Sequence, residues 1–257
     1  MSAAAQIAFL GRRAFMRSIR QPGQMAFALI FPLFFLFVVS NGLSPAASIP
    51  GFPADSYVDF MFAIPFVHGA LFAALNSAIE LGRDIDTGFL NRLALTPLRR
   101  VALMMGQLAG ILALGLIQAV TFVIVGVAFG SGIKAGVSGA LVIVALSLTI
   151  SLAFGCIGAF VALRSGTGEA VQGVFPLFFA ALFLSSMALP RDLIQTDWFR
   201  TVATWNPVSY MLEAIRSLVI TGWDPEALAL GFACAGGLAA ISLFAASSAL
   251  KTRMVRT

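Results

Sequence analysis

Six apolar stretches, at residues 25–42, 57–79, 101–129, 137–163, 170–189 and 227–250, decide what this chain can become. About 20 consecutive apolar residues carry a helix across the hydrocarbon layer. The stretches are continuous, with no alternation of period two, so they predict membrane helices rather than barrel strands. The third and fourth exceed the minimum and are expected to tilt or to extend beyond the bilayer. Composition agrees: 60% of the residues are hydrophobic, 11% are charged and the mean hydropathy is +0.97. Soluble domains carry roughly 25% charge. The expected fold is therefore an all-α polytopic membrane protein, a single transmembrane domain over residues 1–257 with six transmembrane helices.

Phe occurs 24 times, which suits a lipid-facing surface and equally an apolar path. The basic residues are mostly Arg in an Ala- and Gly-rich background, which fits a bacterial gene of high GC content. Cys156 and Cys234 both fall inside apolar stretches, without metal-ligand spacing, and read as free thiols. The run Gly11-Arg12-Arg13-Ala14-Phe15-Met16 resembles a twin-arginine export signal. Such signals deliver mostly soluble proteins, and five further apolar stretches follow this one.

The distribution of basic residues orients the chain. With the N-terminus in the cytoplasm, the inner segments hold Arg12, Arg13, Arg17, Arg20, Arg83, Arg92, Arg99, Arg100, Arg164, Lys251, Arg253 and Arg256, 12 of the 16 basic residues. Lys134, Arg191, Arg200 and Arg216 fall outside. Both termini are expected on the cytoplasmic side of a bacterial inner membrane.

Three non-spanning segments carry a pattern. In the first, residues 1–24, a helix over 4–20 puts Arg13, Arg17 and Arg20 within about 60° of one another, beside Ile7, Leu10, Ala14 and Phe15. This reads as a helix on the cytoplasmic membrane surface or as a plain topology anchor. In the second, residues 80–100, Leu81, Ile85, Phe89 and Leu93 form an apolar stripe opposite charges of both signs. Gly88 interrupts the helix and Thr96-Pro97 ends it. In the third, residues 190–226, Asn206-Pro207 makes a helix start. Val208, Met211, Leu212, Ile215, Leu218 and Val219 line one face, while Ser209, Glu213 and Arg216 line the other. Fourteen or so residues are too few to span. The segment is expected to form a re-entrant or interfacial helix, with Glu213 and Arg216 paired at i,i+3. Trp198, Trp205 and Trp223 flank it as an aromatic belt would.

Little in the apolar stretches carries chemistry. His68 is the one clear ionisable group there; Asp59, Glu80 and Glu169 sit at the ends. Secondary transporters usually need an intramembrane carboxylate for the coupling charge. Only His68 supports a secondary transporter or channel, and a membrane histidine is more often a partner in an interhelical hydrogen bond. Asn76, Gln107 and Gln118 either line a path or join helices. Gly106 with Gly110, and Gly126 with Gly130, have the GxxxG spacing of close helix contacts. No phosphate-binding loop and no catalytic constellation is present, so energy is expected to enter from a partner.

At this point the chain resembles a known family. The loop Asp84-Ile-Asp-Thr-Gly88 through Arg92-Leu-Ala-Leu-Thr-Pro97-Leu-Arg-Arg100 is similar to the coupling loop of type-2 ABC export permeases, with an acidic start, a Gly and a leucine-rich turn ending in Thr-Pro. The run Asn206-Pro-Val-Ser-Tyr-Met-Leu-Glu213-Ala-Ile-Arg216 resembles the family's segment before the last span. The chain departs from the family where Glu-Arg-Glu is common and Gly82-Arg83-Asp84 stands here. Phe175-Pro-Leu-Phe-Phe179 and the short loops look most like the daunorubicin-type drug-resistance permeases; polysaccharide and lipid exporters share the fold.

The resemblance implies a permease subunit that pairs with a second, identical or related, permease subunit. Two copies of a separate ATPase would hold the ATP and Mg, with no cofactor and no catalytic residue on this chain, and lipid but no nucleic acid as a further partner. Glu80, Arg83, Asp84, Gly88, Arg92, Thr96 and Pro97 would couple to the ATPase, with Arg13, Arg17 and Arg20 on the interfacial helix. Asn206, Pro207, Tyr210, Glu213 and Arg216 would form the outer gate. Phe31, Phe34, Phe66, His68, Phe72, Asn76, Gln107 and Gln118 would be candidates for the path of an amphipathic or apolar substrate.

Overall fold

The computed structural model describes residues 3–94 and 100–255. Among them there is no strand, and the chain folds into eleven α-helices: α1 (Ala3–Ile19), α2 (Pro22–Gly42), α3 (Tyr57–Met61), α4 (Ile64–Asp86), α5 (Phe89–Ala94), α6 (Arg100–Ala128), α7 (Gly136–Ser165), α8 (Gly168–Phe183), α9 (Asp197–Trp205), α10 (Pro207–Ile220) and α11 (Pro225–Val255). Five stretches are long and apolar enough to cross a membrane: Pro22–Gly42, Tyr57–Asp86, Ala102–Ala128, Gly136–Ser165 and Pro225–Arg253. The arrangement is that of a polytopic helical membrane protein.

The expected fifth span, 170–189, appears as the 16-residue α8. At about 1.5 Å per residue it rises roughly 24 Å, short of the roughly 30 Å hydrocarbon layer. The apolar run continues to Leu189, but the helix stops at Phe183 and the backbone turns through Ser185 and Ser186. The second span is broken too. α3 passes into α4 near Pro65, which has no N–H to offer the carbonyl of Met61.

α4 is the central element, buried on nearly every face from Ile64 to Ile79. α2, α6, α7 and α8 pack around it, and α11 lies against α7 on the far side. The main core joins Phe60, Phe62, Phe66 and Phe122 to Met211, Leu212 and Ile215 of α10. A second, smaller core at the other end gathers Ile85, Leu90, Met104, Leu108 and Ile111. Of the apolar stripe anticipated in the 80–100 loop, Ile85 is thus buried in this core and Leu81 packs against it, while Leu90 joins from outside the stripe.

α1 finds its place through the first GxxxG pair. The side-chain stub of Leu10 rests on Gly106, and the Cβ of Ala14 would lie 2.6 Å from a Cβ at Gly110. Only glycine permits helices to approach this closely. α1 therefore packs along the start of α6 rather than floating free on a surface. Gly126, of the second pair, receives the ring of Phe62.

Candidate coupling and translocation site

At the charged end of α4, Glu80 and Asp84 stand four residues apart on one helical face. Like charges at that spacing destabilise a helix, and here the same spacing on α1 answers them. Arg13 donates to both carboxylate oxygens of Asp84 at 2.8 and 2.9 Å, the two-pronged geometry a guanidinium favours. Arg17 bridges both acids, 2.7 Å from Asp84 and 2.7 Å from Glu80. Arg83 and Gln21 complete the shell of Glu80 at 2.7 and 3.2 Å. The Arg13 guanidinium also sits 4.0 Å from the ring centre of Phe89, a cation–π contact that ties α5 to α1.

Between α4 and α5 the chain turns through Gly88, whose φ of +70° is a left-handed conformation that other residues adopt at a cost. The helix–glycine–helix reading of this loop is therefore realised in the backbone. Arg92 is exposed on α5, and Arg20 is exposed at the end of α1. Thr96 and Pro97 lie outside the described residues. The Gly82 departure has a steric cause. A Cβ there would lie 2.6 Å from the Gly168 nitrogen and 2.7 Å from the Thr167 carbonyl carbon, so the α7–α8 turn leaves no room for a side chain.

Along the spans, the candidate path residues separate. His68 is fully buried, with neither ring nitrogen hydrogen-bonded. Phe31, Phe35, Phe72 and Phe179 surround it at 5.2 to 6.5 Å between ring centres. Phe175 extends the same aromatic cluster from α8. Phe34 points outward from α2 and is exposed. Phe66 lies instead in the core, edge-on to Phe62 and Phe122. Gln107 donates to the hydroxyl and carbonyl oxygens of Ser77 at 2.7 and 2.8 Å, which joins α6 to α4. Asn76 and Gln118 share a small cleft with Gln21, Gln24 and Glu80, and Gln118 Oε1 has no hydrogen-bond partner.

At the opposite end, α10 fastens the two broken helices. Asn206 caps α10 by accepting from Val208 N at 3.0 Å, while its amide donates to the carbonyls of Ala181 and Leu184. Pro207 follows at the first position. Ser209 Oγ accepts from Ser186 N at 3.0 Å. Arg216 does not pair with Glu213 as its spacing suggests. It donates to three carbonyls instead, Phe60 at 2.9 Å, Ser186 at 2.6 Å and Met187 at 2.6 Å, and stacks 3.6 Å from the Phe60 ring centre. The irregular backbone at both helix breaks thereby has its polar groups met by protein, as non-helical backbone in lipid requires.

Glu213 pairs with Arg191, through contacts of 2.9 and 2.6 Å, and Arg191 lies 4.4 Å from the ring centre of Tyr210. Burial alone would lower the pKa of Arg191, but the Glu213 charge and hydrogen bonds, with Tyr210, outweigh it and raise the value above normal.

Sequence reasoning read Phe89 only as part of an apolar stripe, and missed Gln21, Phe179, Arg191 and the carbonyls that Arg216 serves. No local pattern marks them, because each gains its role from a partner many residues away. The exception is Phe175 with Phe179, whose i,i+4 spacing beside a proline was visible.

An ion-paired helix–glycine–helix loop and a short helix packed on the core ahead of the last long apolar helix thus belong to a polytopic helical membrane protein. The chain matches the family model of the ABC-2 type transporter over residues 5–220 and belongs to that family. It is 29% identical over 223 residues to ycf38 of Porphyra purpurea, named a transport permease, covering 85% of this chain and 76% of that protein. Its likeness to ycf38 of Cyanophora paradoxa is 27% over 213 residues, 81% and 72% of the two chains. DrrC of Mycobacterium tuberculosis, named a doxorubicin resistance ABC transporter permease protein, is 26% identical over 202 residues, 76% and 70% of the two chains.

Proposed function

We propose that this chain is the membrane-spanning subunit of an ABC exporter that moves amphipathic or apolar compounds, of drug or lipid type, out of the cytoplasm or the inner leaflet. A separate ATPase, present in two copies with ATP and Mg bound, supplies the energy, and a second permease subunit completes the path. The chain crosses the inner membrane six times, the short α8 included, with both termini in the cytoplasm and α10 folded into the outer leaflet.

The observation that carries this reading is the junction of α1, α4 and α5 through Arg13, Arg17, Glu80, Asp84 and Phe89. A force applied by an ATPase to α5 has a stiff route into α4, the most buried helix, by charge-assisted bonds and the single turn at Gly88. A loop without mechanical duty needs no such bracing. DrrC's name supports the drug end of the substrate range. His68 supports proton-coupled transport poorly, since among the described residues aromatic rings rather than carboxylates surround it.

The test is co-purification with ATP-binding cassette ATPases co-expressed from the same genome, followed by ATP hydrolysis in lipid nanodiscs. Wild type is compared with a Gly88→Trp, Arg92→Glu variant, with and without amphipathic drugs and lipids. A stable complex whose drug-stimulated hydrolysis disappears in the variant upholds the proposal. No complex with any ATPase overturns it.

A further inference from the structure

The α1 helix has two functional faces, and the junction described above uses only one. Leu10 and Ala14 face α6, and Arg13 and Arg17 reach the acids of α4. The remaining face turns away from the protein. It carries Phe9, Met16 and Ile19, exposed by 61%, 37% and 41%, at helical spacings of seven and three residues. Arg12 and Arg20 flank this apolar row; both are exposed, and neither has an acidic partner among the described residues. An open groove of about 570 Å³ runs along the face, lined by Phe9, Met16 and all four arginines.

We propose that this groove binds the phosphate headgroup of an anionic phospholipid of the cytoplasmic leaflet. The inference rests on the orientation proposed above, which places α1 at that leaflet. Two features select the occupant. Two exposed cations without acidic partners among the described residues favour an anion, and the exposed row between them favours a hydrocarbon surface. An anionic lipid supplies both in one molecule, with the apolar face of α1 lying against the acyl chains and Arg12 and Arg20 reaching the headgroup. An acidic protein surface would answer the charges and leave Phe9, Met16 and Ile19 uncovered or in water.

The position of the groove gives the lipid a regulatory role. Arg13 and Arg17 line it as well as binding Asp84 and Glu80. A headgroup seated there shares those two arginines with the acids of α4. The charge of the leaflet thus acts on the joint that links α1 to the coupling loop, and an uncharged leaflet leaves the arginines wholly to Asp84 and Glu80.

Native mass spectrometry of the purified, delipidated permease, without any ATPase, tests the binding independently of the exporter reading. The probes are phosphatidylglycerol, phosphatidylcholine and inorganic phosphate. Wild type should retain phosphatidylglycerol in preference to phosphatidylcholine, and millimolar inorganic phosphate should not displace it. Each arginine near an anionic surface contributes roughly a fivefold gain, so Arg12→Gln with Arg20→Gln should reduce phosphatidylglycerol retention by about 25-fold. Arg12→Lys with Arg20→Lys should restore most of it. Phe9→Ser should weaken both lipids alike. Equal retention of the two lipids by wild type overturns the proposal without reference to any variant, as does displacement by inorganic phosphate. Unchanged lipid preference in the glutamine variant also overturns it, and loss of ATPase co-purification by that variant in the assay above would assign the groove to the ATPase instead.

Discussion

Replacing Asp84 by Asn should loosen α1 while leaving the rest of the bundle in place. Asp84 accepts two bonds from Arg13 and one from Arg17, all between 2.7 and 2.9 Å. The side chains of Arg13 and Arg17 are 38% and 35% exposed, so water screens both, and each pairing is discounted to about 1 kcal/mol. The loss is then about 2 kcal/mol, because Arg17 keeps Glu80 and the glycine contact of α1 with α6 is untouched. Hydrogen exchange of α1 amides through local opening should accelerate by about 30-fold. Exchange measured by mass spectrometry in nanodiscs reads this peptide by peptide. Arg164→Gln, on α7 and outside any pairing among the described residues, is the control and should match wild type. Wild-type exchange in α1 of the Asp84→Asn protein would refute the reasoning, since the Gly106 and Gly110 contact would then hold the helix alone.

Gly88→Ala should cost about 1–2 kcal/mol through its left-handed backbone alone, because no atom lies within 4 Å of a Cβ there; Asn should be better tolerated than Ala in thermal unfolding, and the reverse order would exclude a backbone cause. Gly82→Ala should cost about 1–3 kcal/mol for the opposite reason, a collision with backbone that no rotamer relieves, read by the same unfolding assay. Arg216→Gln should destabilise by about 3–5 kcal/mol, because three buried carbonyls lose their donor, and Arg216→Lys should recover only part; near-wild-type unfolding of the glutamine variant would show that those carbonyls find other partners. His68→Leu should stabilise the protein by about 1–3 kcal/mol, since it removes two unpaired buried nitrogens, and should leave transport intact across pH. Abolished transport in that variant would restore the case for proton coupling.

The membrane helices were legible because hydropathy over 20 residues is a local quantity. Two finer features were legible for the same reason. The break at Gly88 and the start of α10 at Asn206 and Pro207 depend on a handful of adjacent residues, and both appear in the structure. The arginines of α1 were read as belonging to a membrane-surface helix or a topology anchor because their acids lie 67 and 71 positions away, beyond any periodicity argument. The partner of the first GxxxG pair was invisible for the same reason. The end of α8 was misplaced because composition does not stop at Phe183; side chains of α10, more than 20 positions further on, hold the turn. Glu213 and Arg216 have the spacing of an ion pair. Each has a stronger claim elsewhere, on Arg191 and on three carbonyls.

The α10 clasp also bears on how the protein can change. At the α1–α4 junction both partners are side chains, so a loss at Asp84 can be repaired by an exchange at Arg13. Second-site suppressors should therefore exist there, and a charge swap is the first to seek. Arg216 serves backbone oxygens, which Ser186 and Met187 present whatever side chains those positions carry. No substitution opposite it can compensate for its loss, because the groups it serves are the same for every side chain. A suppressor screen begun from an Arg216 variant should return little but reversion.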